Sequence, residues 1–245
     1  MPNPWDACSA RLLETLGFEA LATTSAGFAW SLGKLDQQVT RDELVSHVRA
    51  VCALVTIPLN VDSERLYPAE PGGIAETVRM LADAGASGCS IEDFDPATGA
   101  LDEAGRAAEA VAVAAEAAHA AGMTLTGRCE NHINGVDDLD DTIERLIAYR
   151  DAGADCLYAP GLTDLEQIRR VVEAVDASVN VLALRSTPPI GDLEAVGVRR
   201  ISTGGLLAAA AYGALVAAAR ELHDHGTSKY AAGSVPRDLL TQALS

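Results

Sequence analysis

The chain has 245 residues, 49% hydrophobic and 22% charged, with a formal net charge of −17. That much apolar material sustains a large core and excludes a disordered chain, and the length suits one barrel of about 250 residues. The charge repels nucleic-acid phosphates and anionic lipid, and no Lys/Arg-rich run offsets it locally, which argues against nucleic-acid and membrane partners.

Apolar runs recur every few tens of residues with alanine-rich amphipathic segments between them, the alternation expected of a parallel sheet flanked by helices. After a short MPNP start comes a helix, CSARLLETLG, and then the first full strand, EALATT near residue 21. The segment TRDELVSHVRAVCALV opens with a Thr cap followed three residues later by an acid, a capping box. Strand IPLNV lies near 59 and helix IAETVRMLADAGA follows. GCSI near 90, MTLTG near 125, CLYAP near 158, VNVLAL near 181 and RRIS near 200 complete a set of seven strands. The helices DDTIERLIAYRDAGA and DLEQIRRVVEAV each carry one apolar stripe at spacings of three and four. Seven strands leave a barrel one short, and only MPNP is available for the missing position. The expected fold is therefore α/β, a (β/α)8 TIM barrel over residues 1–245 with a truncated first strand. A C-terminal helical extension over about 206–245 is expected to swap between subunits or dock.

Five separate cysteines without paired spacing read as a reduced, cytoplasmic chain. The N-terminus lacks a basic patch followed by an apolar run, and no alanine-rich stretch is long and uncharged enough to span a bilayer.

Acidic residues at strand ends carry the chemistry. Asp62 and Glu64 follow IPLNV, Glu92 follows GCSI, and Asp36 ends the loop SLGKLD. In a barrel such groups converge on one rim, where they repel one another unless a cation sits among them; a hard ion such as Mg²⁺ takes oxygen ligands and keeps several waters. Strand MTLTG runs on to Arg128, which with Glu130 shares a face if the strand continues, whereas Cys129 points away. Arg128 can grip a carboxylate in bidentate fashion, or pair with a rim acid. The turn TTSAG offers hydroxyls and N–H groups to an oxyanion, and STGG after the last strand reads as packing and capping.

TTSAGFAWSLGKLD, PLNVDSE, GCSIEDF, GRCEN, YRDAGADCLYAPG, VNVLAL and GVRRISTGG occur in the order and at about the spacing found in the isocitrate lyase/phosphoenolpyruvate mutase family. From Trp5 to about Gly226 the chain resembles this family, and its short actinobacterial-type members more than true isocitrate lyases. The resemblance implies a (β/α)8 barrel whose eighth helix swaps between subunits in a homodimer or homotetramer. It implies small anionic 2-oxo acid substrates whose enolates are held on Mg²⁺, with Mn²⁺ as an alternative ion. It implies Asp62 as direct metal ligand with Asp36, Glu64 and Glu92 as outer acids, and Thr24, Ser25 and Ala26 around the pyruvyl carboxylate. Arg128 and Glu130 are the candidate catalytic pair, with Arg128 also holding substrate.

The departures are specific. EDFDPATGALDEAG follows Glu92 where lyase members carry a KKCGH-type loop, and the Lys and Asn of the mutase gating loop are absent. The usual glycine-tyrosine-glycine after the metal acids is Arg65-Leu66-Tyr67-Pro68. The expected activity is a Mg²⁺-dependent lyase-type reaction on a 2-oxo carboxylate, by carbon–carbon cleavage or decarboxylation through a metal-bound enolate. Carbon–phosphorus chemistry is the runner-up, and a barrel that has lost catalysis and serves as a scaffold is the rival from another class.

Overall fold

The computed structural model describes all residues, Met1–Ser245. Seven short strands pair in parallel and in chain order: β1 (Leu21–Ala22), β2 (Leu59–Val61), β3 (Gly88–Glu92), β6 (Thr124–Arg128), β7 (Cys156–Tyr158), β8 (Ser178–Leu182) and β9 (Arg200–Ser202). All seven coincide with the apolar runs read from the sequence. A small antiparallel hairpin, β4 (Phe94–Asp95) with β5 (Ala100–Leu101), interrupts the crossover after β3. It was not expected, although the Asp95 side chain caps the Ala97 N–H and Gly99 takes φ +68°, both ordinary turn chemistry.

The helices α1 (Ala7–Thr15), α2 (Ser25–Ser31), α3 (Arg41–Cys52), α4 (Gly73–Asp83), α5 (Ala104–Ala120), α6 (Leu139–Asp151), α7 (Leu165–Val175) and α8 (Ile190–Ala195) accompany the strands. Six of the eight begin at a side-chain cap; α4 and α8 do not. Thr40 and Glu43 make the capping box of α3, and α3 buries Leu44, Val45, Val48 and Val51, one stripe at helical spacing. Alternate strand residues such as Cys89, Ile91, Leu125, Val179 and Val181 join those stripes in one apolar layer outside the barrel. His47 stacks on Phe28 of this layer with ring centroids 3.8 Å apart. No helix is long and apolar enough to cross a membrane.

The short first segment fills the eighth position. Ala22 N–H donates to Pro2 O at 3.0 Å on one side, and Met1 N donates to Ile201 O at 2.8 Å on the other. Asn3 rivets the seam. Its buried amide donates to Thr23 O at 2.7 Å and accepts from Thr203 N–H at 2.7 Å and Gly204 N–H at 3.0 Å. Residues 1–3 thus span the gap between β1 and β9, and the seven-stranded sheet becomes a nearly closed TIM barrel.

At the other end, α9 (Leu206–His225) projects with only Ala208 buried, and α10 (Arg237–Leu244) returns to pack on α1. Arg11 Nε donates to Ala243 O at 2.5 Å, and Ala243 is fully buried.

Replacing Asn3 with Ala strands the N–H groups of Thr203 and Gly204 at the seam. A loss of about 3 kcal/mol is expected. Urea unfolding at neutral pH checks it; an unchanged midpoint would show that the seam contributes nothing.

Candidate active site

Parallel pairing gathers the acids. Glu92 and Arg128 are register partners at the ends of β3 and β6, while Val61 pairs with Cys89, so Asp62 emerges beside them. Arg128 sits at the centre. One terminal nitrogen lies 2.5 Å from Asp62 Oδ1 and the other 3.1 Å from Glu92 Oε2, and Nε lies 2.9 Å from Glu130 Oε1. The guanidinium also lies 5.3 Å from the centre of the Tyr158 ring, a cation–π contact.

Asp36 and Glu64 stand behind this group. Burial, then Asp62, raises the Asp36 carboxyl above its usual range. Burial, then Asp62 and Asp36, pushes Glu64 up to about 8. Glu92 and Glu130 are also raised, first by burial, with Arg128 opposing the shift in each case. Asp36, Glu64, Glu92 and Glu130 are thus raised by burial first and by crowded negative charge second, with one guanidinium among them.

The acids are held by hydrogen bonds between segments well apart in the chain. Asp62 N–H donates to Thr23 Oγ1 and Ser25 N–H donates to Asp62 Oδ2, both at 2.9 Å. The turn TTSAG is thereby tied to β2. Thr24 caps α2 by accepting from Gly27 N–H at 3.3 Å. Of the turn's N–H groups, Ser25's is committed to Asp62, a use the sequence did not foreshadow; Ala26's has no partner. Gln37, at φ +65°, donates to Glu92 Oε1 at 2.7 Å.

The segment that replaces the family's glycines keeps a glycine-like backbone. Glu64, Leu66 and Tyr67 have φ of 49°, 57° and 50°, left-handed values that cost a side-chain-bearing residue roughly 1–2 kcal/mol. Their fixings are visible. Leu66 is fully buried, its N–H donates to Ser63 O at 2.8 Å, and Tyr67 Oη donates to Val39 O at 3.1 Å. Arg65 reaches the β4–β5 hairpin, pairing with Asp95 at 3.2 Å and closely with Asp102. Asp93 fixes the hairpin's base by accepting from Tyr149 Oη at 2.5 Å and from Glu130 N–H at 2.8 Å, with Arg145 3.2 Å away.

Below the acids lies a cavity of about 170 Å³ lined by Thr24, Ser25, Ala26, Asp36, Asp62 and Arg128, and deeper by Asn60, Thr126, Asn180 and Arg200. The structure thus brings Asp36, Asp62, Glu64, Glu92, Arg128, Glu130 and the 24–26 turn into one neighbourhood. Sequence reasoning missed Gln37, Tyr158 and Arg200. Alternation along CLYAP would have pointed Tyr158 inward with Cys156; Gln37 carries no signal, because only the loop's fold brings it to Glu92.

No three acids converge closely enough to cage an ion by themselves. The donor set instead fits a hard cation that keeps most of its waters, with Asp62 as contact and the raised acids Asp36 and Glu64 as neighbours that a positive charge would let ionise.

The sequence profile described as phosphoenolpyruvate phosphomutase matches residues 1–223. A Burkholderia cenocepacia J2315 protein, solved as a candidate lyase/mutase, is 46% identical with a TM-score of 0.94, over 100% of this chain and 90% of that one. The uncharacterized protein Rv1998c of Mycobacterium tuberculosis H37Rv is 32% identical over 91% of this chain and 84% of its own length. The oxaloacetate decarboxylase of Rhodopseudomonas palustris TIE-1 is 28% identical over 80% of this chain and 69% of its own length. A phosphonopyruvate hydrolase solved with oxalate and Mg²⁺ shares the fold at 20% identity and TM-score 0.84, over 99% of this chain and 88% of that one. With its barrel and its profile in agreement, the chain belongs to the phosphoenolpyruvate mutase/isocitrate lyase family.

Proposed function

We propose that this chain is a divalent-metal-dependent, lyase-type enzyme acting on a 2-oxo carboxylate through an enolate, by carbon–carbon cleavage or decarboxylation. The observation that carries this reading is the rim itself, where Asp62, Glu92 and Glu130 clasp one guanidinium with Asp36 and Glu64 close by, and where burial and then neighbouring charge raise the carboxyls of Asp36 and Glu64. A purely structural cluster of that composition has no packing value. The family's oxaloacetate decarboxylase supports the substrate class.

In this reading Asp62 binds Mg²⁺ directly, and Asp36, Glu64 and Glu92 hold its waters. The ion, when bound, supplies positive charge where enolate charge develops. Thr24, Ser25 and Ala26 receive the pyruvyl carboxylate, with the Ala26 N–H as open donor. Arg128 balances a second anionic oxygen, aimed by Glu130 at its Nε and by the Tyr158 ring. The hairpin held by Arg65 covers this region in place of a Cys- or Lys-bearing loop. We further propose that a second copy of the chain covers α9, whose Leu215, Val216 and Leu222 are 61%, 49% and 53% exposed, giving a homodimer or homotetramer.

Calorimetric titration with oxalate, which mimics the pyruvate enolate, should show binding with Mg²⁺ and none with chelator. Absence of binding in both conditions would favour a non-catalytic barrel.

A second expectation concerns pH. Because the folded-state Glu64 carboxyl titrates near 8 against an ordinary 4.5, the folded protein holds an extra proton between those values and loses stability as pH rises through them. Glu64→Gln, in EDTA, should match the wild type near pH 4 and exceed its stability increasingly towards pH 8. Saturating Mg²⁺ should stabilise the wild type at pH 8 and erase the variant's advantage. Parallel pH curves for both proteins in EDTA would show that burial and the neighbouring acids do not raise the Glu64 carboxyl.

Light scattering should give a mass of two or four chains, and Leu215→Glu should shift it towards one. A wild-type monomer at micromolar concentration would rule out the α9 interface.

A further inference from the structure

Inside the barrel, below the acidic rim, is a guanidinium that no acid neutralises. Arg200, at the first position of β9, donates from Nε to Asn180 Oδ1 at 3.1 Å and from Nη2 to Thr126 Oγ1 at 2.8 Å. Both acceptors are neutral, Nη1 has no partner, and Arg200 joins none of the molecule's ion pairs. Arg128, which lines the same cavity, is by contrast held by three carboxylates. An arginine keeps its charge at any ordinary pH, so this half-buried cation cannot relieve itself by losing a proton.

The surroundings leave room for a counter-ion. Barrel interiors are usually packed with branched apolar side chains. Here the layer beneath the rim is Ala22, Asn60, Ser90, Thr126, Asn180 and Ser202, small or polar, and all of them line the same cavity as Asp62, Arg128 and Arg200. Asn180 Nδ2 donates to Ser202 Oγ at 2.9 Å, which turns its carbonyl oxygen towards Arg200 and fixes the guanidinium.

We propose that Arg200 and this polar layer form an anion subsite inside the barrel that takes a carboxylate, and that the protein's ligand is a diacid with one end at the rim and the other on Arg200. The subsite stands on the geometry of the floor alone; the link to the rim rests on the 2-oxo acid reading above. Thr126 and Arg128 are two residues apart on β6, so the contact of Arg200 lies roughly 7 Å below the base of Arg128. A four- or five-carbon diacid bridges such a distance; oxalate and pyruvate do not.

The test compares wild type, Arg200→Gln and Arg200→Lys, each first shown to melt cooperatively. With Mg²⁺ present, calorimetry measures oxalate, pyruvate and 2-oxoglutarate. Wild type should bind 2-oxoglutarate about tenfold or more tighter than pyruvate, the order of one charge-assisted hydrogen-bonded contact. Arg200→Gln should lose this preference while oxalate affinity stays within about twofold, and Arg200→Lys, which keeps the charge, should retain part of it. Equal loss for oxalate and 2-oxoglutarate in Arg200→Gln, or no diacid preference in wild type, would overturn the diacid assignment. Succinate in EDTA, read by thermal shift, tests the floor without the metal: it should stabilise wild type and leave Arg200→Gln unmoved. No effect of succinate on wild type overturns the subsite. Failure of oxalate alone counts against the enolate reading and leaves succinate to judge the floor.

Discussion

One buried guanidinium organises the catalytic end of this barrel. Arg128 is clasped by Asp62, Glu92 and Glu130 at 2.5, 3.1 and 2.9 Å, and its side chain is only 13% exposed. Removing one partner from such a group leaves uncompensated charge where water cannot reach it, so the strands that carry the partners have little freedom in register. Glu92 is opposite Arg128 in the β3–β6 ladder, and Glu130 is fixed from behind by Asp93, which also accepts from Tyr149 and Arg145. The network therefore runs from β2 through β3 and β6 to α6. The charge it leaves unbalanced, at Asp36 and Glu64, is what a divalent ion would use.

The same network explains how the pocket mouth keeps its shape without the family's glycines. Positive φ at Glu64, Leu66 and Tyr67 is held in place by burial of Leu66, by the Tyr67–Val39 hydrogen bond, and by Arg65 bridging to the hairpin. Strained backbone of this kind persists only where its surroundings over-determine it. Here they do so with one buried apolar side chain, one hydrogen bond and one ion-pair bridge. Arg65, which stands where the family pattern has glycine, has become the tie between the metal-side loop and the β4–β5 hairpin. The sequence departures at 65–68 and 94–106 are two halves of one contact.

The two cavity-lining arginines divide the electrostatics of the interior. Arg128 is surrounded by more acid than it can neutralise, whereas Arg200 one layer deeper has none. In a chain of net charge −17 that separation favours a cation at the rim and an anion beneath it. Only small residues such as Ala22, Ser90 and Thr126 in the intervening layer allow the two regions to share a cavity.

The sequence by itself did not foretell the β4–β5 hairpin or the short helices α2 and α8, but it determined the seven barrel strands, most of the helices between them, their order and the candidate rim acids. Those follow from local patterns: alternation in GCSIE, the capping box of Thr40 and Glu43, and carboxylates placed directly after apolar runs. Closure was legible only as a shortage, because a three-residue segment has no periodicity; that Met1–Asn3 fills the eighth position depends on Asn3 finding Thr23, Thr203 and Gly204, up to 201 positions away. Gln37 at Glu92, Arg65 at Asp95 and Arg200 between Thr126 and Asn180 are likewise tertiary facts. Each is a contact between side chains distant in the chain, and no local propensity encodes which partner a long polar side chain will meet. Burial decided the rest: the carboxyls of Asp36 and Glu64, which read as ordinary acids in the sequence, are raised in the fold, because only there are they taken from water and crowded together.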